Sequence, residues 1–467
     1  MYLLVAHGPV FADSPADLFW DLRPQALAEG GASVSGCVTG RAHVEDPITL
    51  PQASGTFARS TYSAQTPLVL ERGSRNLGKW ETNILRNELV VPGERLGADA
   101  WHIGVCTSDV KDTIWYRDDE KEYIGTIEED ARMLSAAYET GSGWVFGASY
   151  QKADTDASLS GASVAGHLEI DGSAGKWPRA TADATRWKLG VAHQKERWHW
   201  GIERTWCDRS EELRVSYEGR TYGAPIDSTR TNTDAYVAHT SGDESWFLSG
   251  RWGNADNTAS ILAWLWGRAD LDYDWNNRSL AVGWRHQEPR AMEQVVFDVR
   301  KLWFDGSGHG YAGFPPGIVS DAYALKTGGD LKVFSLRYGR SSPLRVPGAK
   351  PSDHWTFHCG SALSYCSADM LGRLRRVEGR GADPETLADH EMSGGILRVI
   401  SVSVGAEYHD DDWNVLGTFT MAAGEANEAF DLADATAPEQ PDAGGPTGPS
   451  NHLQAKYFFT LSALRRF

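Results

Sequence analysis

Large apolar side chains and polar or small side chains alternate along most of the chain. Trp187, Leu189 and Val191 occupy every second position, and a further alternating stretch begins at Trp198, after the polar residues 195–196. A period of two predicts β-strands with one apolar and one polar face, and the short polar break predicts a tight hairpin. The same alternation recurs in residues 144–151, 246–253, 279–285, 294–303, 400–408 and 413–421.

Two architectures contain such strands. A soluble sandwich buries the apolar faces between two sheets, whereas a membrane barrel turns them toward lipid and encloses the polar faces. Alternating stretches of about ten residues fit tilted membrane strands better than the ordinary strand of about five or six. Aromatic residues near the ends of the stretches are typical of the girdle at a membrane interface. They are Trp198, Trp206, Trp246, Trp252, Trp303, Tyr408 and Trp413.

Short polar turns alternate with long polar connections. The predicted short turns are residues 139–143, 195–196, 240–244 and 409–412, and the predicted long loops are residues 152–183, 207–232, 305–328, 368–394 and 424–451. This alternation favours the barrel, because barrels in outer membranes combine short periplasmic turns with long outer loops. We therefore predict an all-β fold, a closed antiparallel transmembrane β-barrel of about 14–18 strands with short periplasmic turns and long extracellular loops.

The last alternating stretch carries a family resemblance. Tyr457, Phe459, Leu461 and the terminal Phe467 share one phase, apart from a polar interruption at Arg465. This ending resembles the closing strand of Gram-negative outer-membrane β-barrels, in which a terminal aromatic residue and alternating apolar residues form the assembly signal. The resemblance implies integral location in the outer membrane, contact with membrane lipid and lipopolysaccharide, and recognition by the barrel-assembly machinery.

The N-terminal region suggests three further segments. Residues 1–12 are apolar and end in Val10-Phe11-Ala12, a spacing of small residues that suits signal-peptidase cleavage. We interpret residues 1–12 as the remnant of a signal peptide, with an ordinary buried segment as the alternative. Residues 13–30 are then a periplasmic segment and residues 31–467 the barrel, in which residues 424–452 form a mobile acidic extracellular loop.

Composition excludes several other classes of protein. The chain has 467 residues, of which 41% are hydrophobic and 23% charged, so it is not a disordered polymer. Its net charge of -18 argues against nucleic acid as a partner, since nucleic-acid binders present basic surfaces. No apolar run approaches the roughly 18 residues that a membrane-spanning helix needs.

Basic residues are frequent on the polar phase of the predicted strands. If the apolar phase faces lipid, the following side chains line the lumen: Arg186, Lys188, Arg197, His199, Arg251, Arg285, Arg300 and Arg337. Rings of Arg or Lys favour anions in a pore, and the guanidinium group suits carboxylates and phosphates. The alternative is that these arginines pair with acidic residues of the lumen and fill the barrel.

The function that follows is an outer-membrane channel for polar, anionic solutes or for an acidic polysaccharide. In fold and charge the chain is similar to polysaccharide-export barrels of the alginate-export type, although no motif transfers particular residues. One alternative is a non-conducting barrel that acts in secretion, assembly or surface binding. Another is a soluble secreted all-β protein that uses its tryptophans as platforms for sugars.

Catalytic and metal motifs are missing from the sequence, and we expect neither enzymatic activity nor a cofactor or metal. There is no GxSxG, HExxH or Walker motif. Residues 270–276 begin with the spacing of a calcium loop but place Trp275 where glycine is needed. Of the five cysteines, only Cys359 and Cys366 lie close enough in sequence to suggest a disulfide.

Overall fold

The part of the chain that a computed structural model describes is residues 42–467, except 54, 73–74, 118–121, 161–162, 165–167, 170–178, 196, 218–219, 262–266, 289–290, 313–320, 345–353, 379–384 and 428–450. The predicted segments 1–12 and 13–30 lie outside it. So does most of the predicted acidic loop 424–452.

Strands dominate the described residues. They are β1 (Phe57–Arg72), β2 (Arg75–Val91), β3 (Trp101–Arg117), β4 (Glu122–Glu139), β5 (Trp144–Ser160), β6 (Ser163–Val164), β7 (Leu168–Glu169), β8 (Arg179–Lys195) and β9 (Trp198–Tyr217). The others are β10 (Arg220–Ser241), β11 (Glu244–Ile261), β12 (Gly267–Glu288), β13 (Ala291–Ala312), β14 (Asp321–Leu344), β15 (His354–Glu378), β16 (Glu385–His409), β17 (Trp413–Ala426) and β18 (Asn451–Arg466).

Sixteen of these strands form one closed antiparallel barrel. Each strand pairs with its neighbours in the chain, β5 pairs with β8, and β1 pairs with β18 from Phe57 opposite Arg466 onward. The short strands β6 and β7 form a separate two-stranded sheet. Closure leaves no unpaired barrel edge, as a lipid environment requires. The strand number falls within the predicted range, and the predicted fold class is confirmed.

The two faces of the barrel wall differ as the alternation predicts. On β16, Ile400 is 59% exposed and Val402 is 48% exposed, whereas Ser401 and Ser403 between them are each 2% exposed. The apolar phase therefore lies on the outer surface and the polar phase on the inner surface. Hydroxyl groups bond across the inner wall, for example Ser403 Oγ and Thr420 Oγ1 at 2.8 Å. A sandwich would bury the apolar phase, so the two-sheet architecture is excluded.

The short turns lie where they are predicted, but the long loops do not. Strands end at Glu139, Lys195, Ser241 and His409, which are the first or second residues of the four predicted turns. By contrast, β9 and β10 continue through most of residues 207–232, which were predicted to be a loop. Outside the apolar band, both faces of these strands carry polar side chains, so hydropathy no longer marks the alternation. The backbone hydrogen bonds between β9 and β10 continue there, because they do not depend on the polarity of the side chains.

The predicted C-terminal assembly signal lies on and just after β18, the strand that pairs with β1 to close the barrel. Tyr457, Phe459 and Leu461 are 39%, 47% and 44% exposed on the outer face, and Phe467 is 58% exposed beyond the end of β18. The backbone N–H of Phe467 donates to the Thr56 carbonyl at 3.0 Å. All four residues of the predicted assembly signal are thus available at the surface, and their role in assembly stays a prediction.

Cys359 and Cys366 do not form a disulfide. Both lie on β15, seven positions apart, which corresponds to about 23 Å along an extended strand. An odd separation also places them on opposite faces of the wall. Both thiols are free, as are those of Cys106 and Cys207.

Helical structure is minor. The described residues contain a 3₁₀ helix at Pro47–Gln52 and the four-residue helix α1 at Gly93–Leu96. Among the described helices, none has the length and apolar character needed to span a membrane.

Candidate functional site in the barrel lumen

Residues 42–53, called the inner segment below, lie inside the barrel against one side of its wall. Val44, Ile48 and Leu50 of this segment are at most 1% exposed and belong to the largest buried apolar cluster. The segment contacts β3, β4, β5 and β8. The segment therefore occupies part of the lumen.

Three glycines lie in the wall directly behind the inner segment. A Cβ atom added at Gly147 would lie 2.8 Å from the backbone nitrogen of Ile48, and one at Gly104 would lie 3.0 Å from a methyl group of Val44. A Cβ at Gly190 would lie 2.8 Å from Ile48 Cγ2. Glycine inside a strand commonly marks close approach of other chain atoms. Here the glycines make room for the inner segment.

Charged and polar contacts fix the inner segment at several points. Lys188 Nζ lies 3.0 Å from Asp46 Oδ1 and 3.5 Å from Glu203 Oε2, and its side chain is only 6% exposed. The Ser135 hydroxyl donates to the Val44 carbonyl at 2.5 Å. Arg86 on β2 forms an ion pair with Glu45 and a second one with Glu88 on the wall, the latter at 2.7 Å.

The basic residues predicted to line the lumen lie on the inner phase of their strands, with one exception. Arg197 lies in the exposed turn between β8 and β9 and does not reach the lumen. His199, two residues later, lies on the inner phase and is half-buried. The lumen-facing residues are Arg186, Lys188, His199, Arg251, Arg285, Arg300 and Arg337.

Several of these cations are neutralised by acidic residues. This agrees with the alternative interpretation, in which the arginines pair with acidic residues and fill the barrel. Asp298, which is 4% exposed, lies between Arg300 Nε at 3.2 Å and Arg337 Nε at 3.0 Å. Arg251 Nε lies 2.6 Å from Asp234 Oδ1 on the adjacent strand. The Arg337–Asp298 pair is buried and stiffens the wall, whereas the side chain of Arg251 is 43% exposed.

A different set of arginines forms the most concentrated basic site in the described lumen. Arg186 on β8 and Arg230 on β10 are the direct cross-strand neighbours of Cys207 on β9. Arg209 follows two residues later on the same face of β9, and all three guanidinium groups act electrostatically on the Cys207 thiol. We call Arg186, Arg209 and Arg230 the arginine cluster.

Arg209 is the member of the arginine cluster with free donor capacity. Its side chain is 5% exposed, and its one ion pair among the described residues joins Nη2 to Glu211 Oε2 at 3.3 Å. Its Nε and Nη1 atoms are buried and have no hydrogen-bond partner. Both atoms are enclosed by protein, so Arg209 adds positive charge to the inner wall without presenting these two donors to the open lumen. They border a small cleft lined also by Thr155, Ala157, Ala180 and Ala182.

Acidic residues offset part of this positive charge. Glu211 pairs with Arg209, and Glu129 on β4 acts electrostatically on both Arg209 and Arg186. Asp112 on β3, which is 6% exposed, acts electrostatically on Glu129, so three acidic residues face the three arginines on this part of the wall.

The sequence prediction missed two members of the arginine cluster. Arg209 and Arg230 lie in residues 207–232, which were predicted to be a loop because the outward residues there, such as Asp208 and Ser210, are polar. Continuing the inner phase of β9 from Glu203 through Cys207 would have placed Arg209 in the lumen. No pattern in the sequence indicated the inner segment.

The described residues show no arrangement suited to metal binding. No group of three or more His, Cys, Asp or Glu side chains in the described parts of the chain is placed to hold a metal ion. The candidate site is therefore the charged wall of the lumen together with the inner segment.

Comparison with known proteins identifies similar folds but no family. No protein-family model matches the chain, and no curated protein does so. Among solved structures, the Pseudomonas putida toluene transporter TodX is 12% identical, with 95% of this chain and 97% of that chain covered and a TM-score of 0.39. A Pseudomonas aeruginosa FadL homologue is 12% identical, with 95% and 98% covered and a TM-score of 0.43.

A third similar structure is a bacterial polysaccharide outer membrane secretin. It is 8% identical, with 89% of this chain and 99% of that chain covered and a TM-score of 0.37.

Proposed function

We propose that the protein is an integral outer-membrane channel that conducts polar solutes, with a preference for anions that arises at the arginine cluster. The observation that carries this proposal is the arginine cluster itself, three guanidinium groups gathered on the inner phase of the adjacent strands β8, β9 and β10 around Cys207. The outward apolar phase supports the membrane location, because a closed barrel with its apolar side chains outside is stable only in lipid. The proposal includes no enzymatic activity.

The expected size of the effect follows from electrostatics. One unit charge about 8 Å from a permeating ion in water changes its energy by about 0.5 kcal/mol. That is about a twofold preference per charge and about fivefold for two charges. Salt screens the effect, so it is largest at low ionic strength.

The test is the reversal potential of single channels in planar bilayers under a KCl gradient. The wild-type protein should prefer chloride, and the double substitution R209Q/R230Q should reduce this preference by about fivefold. Arg197→Gln is the matched control, because Arg197 is exposed in a turn outside the lumen. Strict cation preference of the wild-type channel would contradict the proposal.

The solute class is a finer part of the same proposal. Small anions and an acidic polysaccharide share the carboxylate or phosphate groups that guanidinium groups bind. Block of the chloride current by oligomers of an acidic sugar, lost in R209Q/R230Q, would support the polymer. Unchanged current in the presence of such oligomers would restrict the channel to small anions.

A second candidate function is a non-conducting barrel that acts in secretion, assembly or surface binding. The inner segment inside the lumen and the ion pairs of Lys188, Arg251, Arg300 and Arg337 favour it, since these features stiffen and partly fill the barrel. A folded protein without measurable conductance would support this function and overturn the channel.

A further inference from the structure

The arginine cluster shares one cross-strand row of the inner wall with two aromatic side chains. Directly paired positions lead from Cys207, at the centre of the cluster, across the next five strands. They are Arg230, Ala255, Trp275, Phe304 and Gly329. Their chain neighbours Asp256, Asp274 and Asp305 are exposed on the outer face, so these positions face the lumen. We call Arg230, Ala255, Trp275 and Phe304 the arginine–aromatic row.

The two aromatic rings form an apolar surface on the inner wall. The ring centres of Trp275 and Phe304 lie 5.0 Å apart, and the ring planes are inclined by only 28°. A Cβ atom added at Gly329 would collide with the Phe304 ring, so this glycine lets the ring lie against the backbone of β14. Trp275 and Phe304 are both partly exposed, and a solute in the lumen can therefore contact them.

Arg230 places a positive charge beside this aromatic surface. Its strand β10 lies two strands from β12, which separates the two backbones by about 10 Å, and only the small side chain of Ala255 lies between. The inner-phase positions of residues 228–232, 253–257, 273–277 and 302–306 are all described, and among them only position 230 has a charged side chain. Arg230 is 9% exposed, so water and salt screen its charge weakly.

Neutral side chains connect the arginines with the aromatic part of the wall. With its amide oriented to satisfy both groups, Asn232 accepts hydrogen bonds from Arg230 Nε at 3.0 Å and Nη2 at 3.1 Å. This contact orients the guanidinium group without neutralising its charge. The Tyr273 hydroxyl, on the inner phase of β12, interacts electrostatically with Glu211 and Arg209 on β9. Side chains of β12 therefore reach the arginine cluster.

We propose that the arginine–aromatic row is a binding site for aromatic carboxylates, organic anions in which a flat apolar ring carries a carboxylate group. The ring of the solute packs on Trp275 and Phe304, and its carboxylate accepts hydrogen bonds from Arg230. This inference rests on the proposed channel function, whose solute it narrows to one chemical class.

The surroundings of the two rings favour an aromatic solute over a sugar. Leu302 precedes Phe304 on the inner phase of β13, and its cross-strand neighbour on β14 is Leu331. Leucine side chains and Gly329 offer no side-chain partner for the hydroxyl groups that project from a sugar ring. A polar group held against apolar residues without a hydrogen bond is unfavourable, and an aromatic ring has no such groups.

The test measures binding of small probes to the folded full-length protein in detergent. Dissociation constants come from saturation-transfer difference NMR titrations, with protein-free micelles as the blank. Phenylacetate should bind, whereas acetate, which lacks the ring, and 2-phenylethanol, which lacks the charge, should each bind at least about tenfold more weakly. Glucuronate, which carries its carboxylate on a sugar ring, should bind as weakly as acetate.

Substitutions separate the two parts of the site. Trp275→Leu should weaken phenylacetate binding by about fivefold and reduce its advantage over acetate, because the ring contact is lost. Trp275→Phe keeps an aromatic surface and should restore most of the binding. Arg230→Gln should weaken phenylacetate binding by about tenfold. If Trp275→Leu does not fold, Phe304→Leu tests the same surface, with an expected loss of about threefold.

Matched controls remove the same chemical groups from the outer face of the adjacent wall. Trp303 on β13 and Arg278 on β12 lie on the outer phase, where the Arg278 guanidinium carbon is 5.3 Å from the centre of the Trp303 ring. Trp303→Leu and Arg278→Gln should bind phenylacetate like the wild-type protein. Heat-modifiable gel mobility verifies that each variant is folded.

Three results would overturn the proposal. They are no binding of phenylacetate by the folded wild-type protein, wild-type affinity in either folded variant of Trp275→Leu and Arg230→Gln, and binding of glucuronate as tight as that of phenylacetate. Because the NMR titrations need no current, the channel function fails separately. A protein that binds phenylacetate without conducting would overturn the channel and leave the binding site in place.

Discussion

Replacing Lys188 with methionine is the sharpest perturbation of the lumen that the structure offers. Methionine keeps the length and apolar stem of the side chain but removes the ammonium group that lies between Asp46 and Glu203. The Asp46 carboxylate of the inner segment then faces the Glu203 carboxylate of the wall without a cation between them. We expect the inner segment to detach from the wall more often.

The free-energy cost of this substitution can be estimated from how deeply the two ion pairs are buried. Removing one partner of a buried ion pair costs about 3–5 kcal/mol. The Glu203 side chain is 9% exposed but that of Asp46 is 23% exposed, so water compensates part of the loss on the side of the segment. We therefore expect the low end of the range, about 3 kcal/mol, which corresponds to about a hundredfold larger detached population.

Two measurements read out this population. Leu50 in the inner segment is fully buried, so a cysteine introduced there by Leu50→Cys should react slowly with a thiol reagent in the otherwise wild-type protein. In the Lys188→Met background its labelling rate, followed by mass spectrometry of the peptide, should rise by about a hundredfold. Single-channel conductance should rise as well, since the segment occupies part of the lumen.

Lys111→Met is the control, because it removes the same charge from an outward lysine that pairs with Glu128 on the next strand. It should change neither the labelling rate nor the conductance. If Lys188→Met also leaves both unchanged, Lys188 does not hold the inner segment and the reasoning from its ion pairs is refuted.

Three further predictions test other parts of the structure. Ile400→Lys should destabilise the barrel in vesicles by about 2–4 kcal/mol in urea unfolding, because the side chain faces lipid; a change under about 0.5 kcal/mol would place it in water. Gly147→Val should destabilise the protein by about 1–3 kcal/mol, because the new side chain meets the backbone of the inner segment; Gly417→Val, with open space around the Cβ position, is the control. In the turn after β16, Asp410 accepts backbone N–H groups from Asp412 and Trp413, which lowers the pKa of its carboxyl group. The difference in melting temperature between wild type and Asp410→Asn should thus be constant above about pH 5 and shrink as the pH falls toward the lowered pKa; a difference that stays constant down to the lowest pH at which both proteins remain folded would contradict this cause.

The outer face could be predicted because lipid contact imposes a simple rule on each strand. Every second residue within the band must be apolar, as Trp246, Leu248 and Trp252 illustrate, and no knowledge of neighbouring strands is needed. The short turns could be predicted for the same reason, since they interrupt the alternation at polar residues. The extent of β9 and β10 beyond the band could not, because the water-exposed outer face there is polar, as at Asp208.

The lumen was only partly predictable. Alternation predicts that Arg251, Arg300 and Arg337 face inward, and in the structure they lie on the inner phase of their strands. It could not show that Asp298 lies between Arg300 and Arg337, since strand register brings together residues that are distant in the chain. This ion pairing determines how much of the positive charge on the inner face remains unneutralised.

The sequence by itself determined the class of fold, because the environment of a lipid-facing strand is specified by the residues of that strand alone. The closure of β1 on β18, the seating of the inner segment against the glycines of the wall, and the assembly of Arg186, Arg209 and Arg230 around Cys207 were decided only by the tertiary structure. The physical reason is that burial and ion pairing depend on which strands are neighbours and on their register. The hydropathy pattern along a single strand specifies neither its neighbours nor its register.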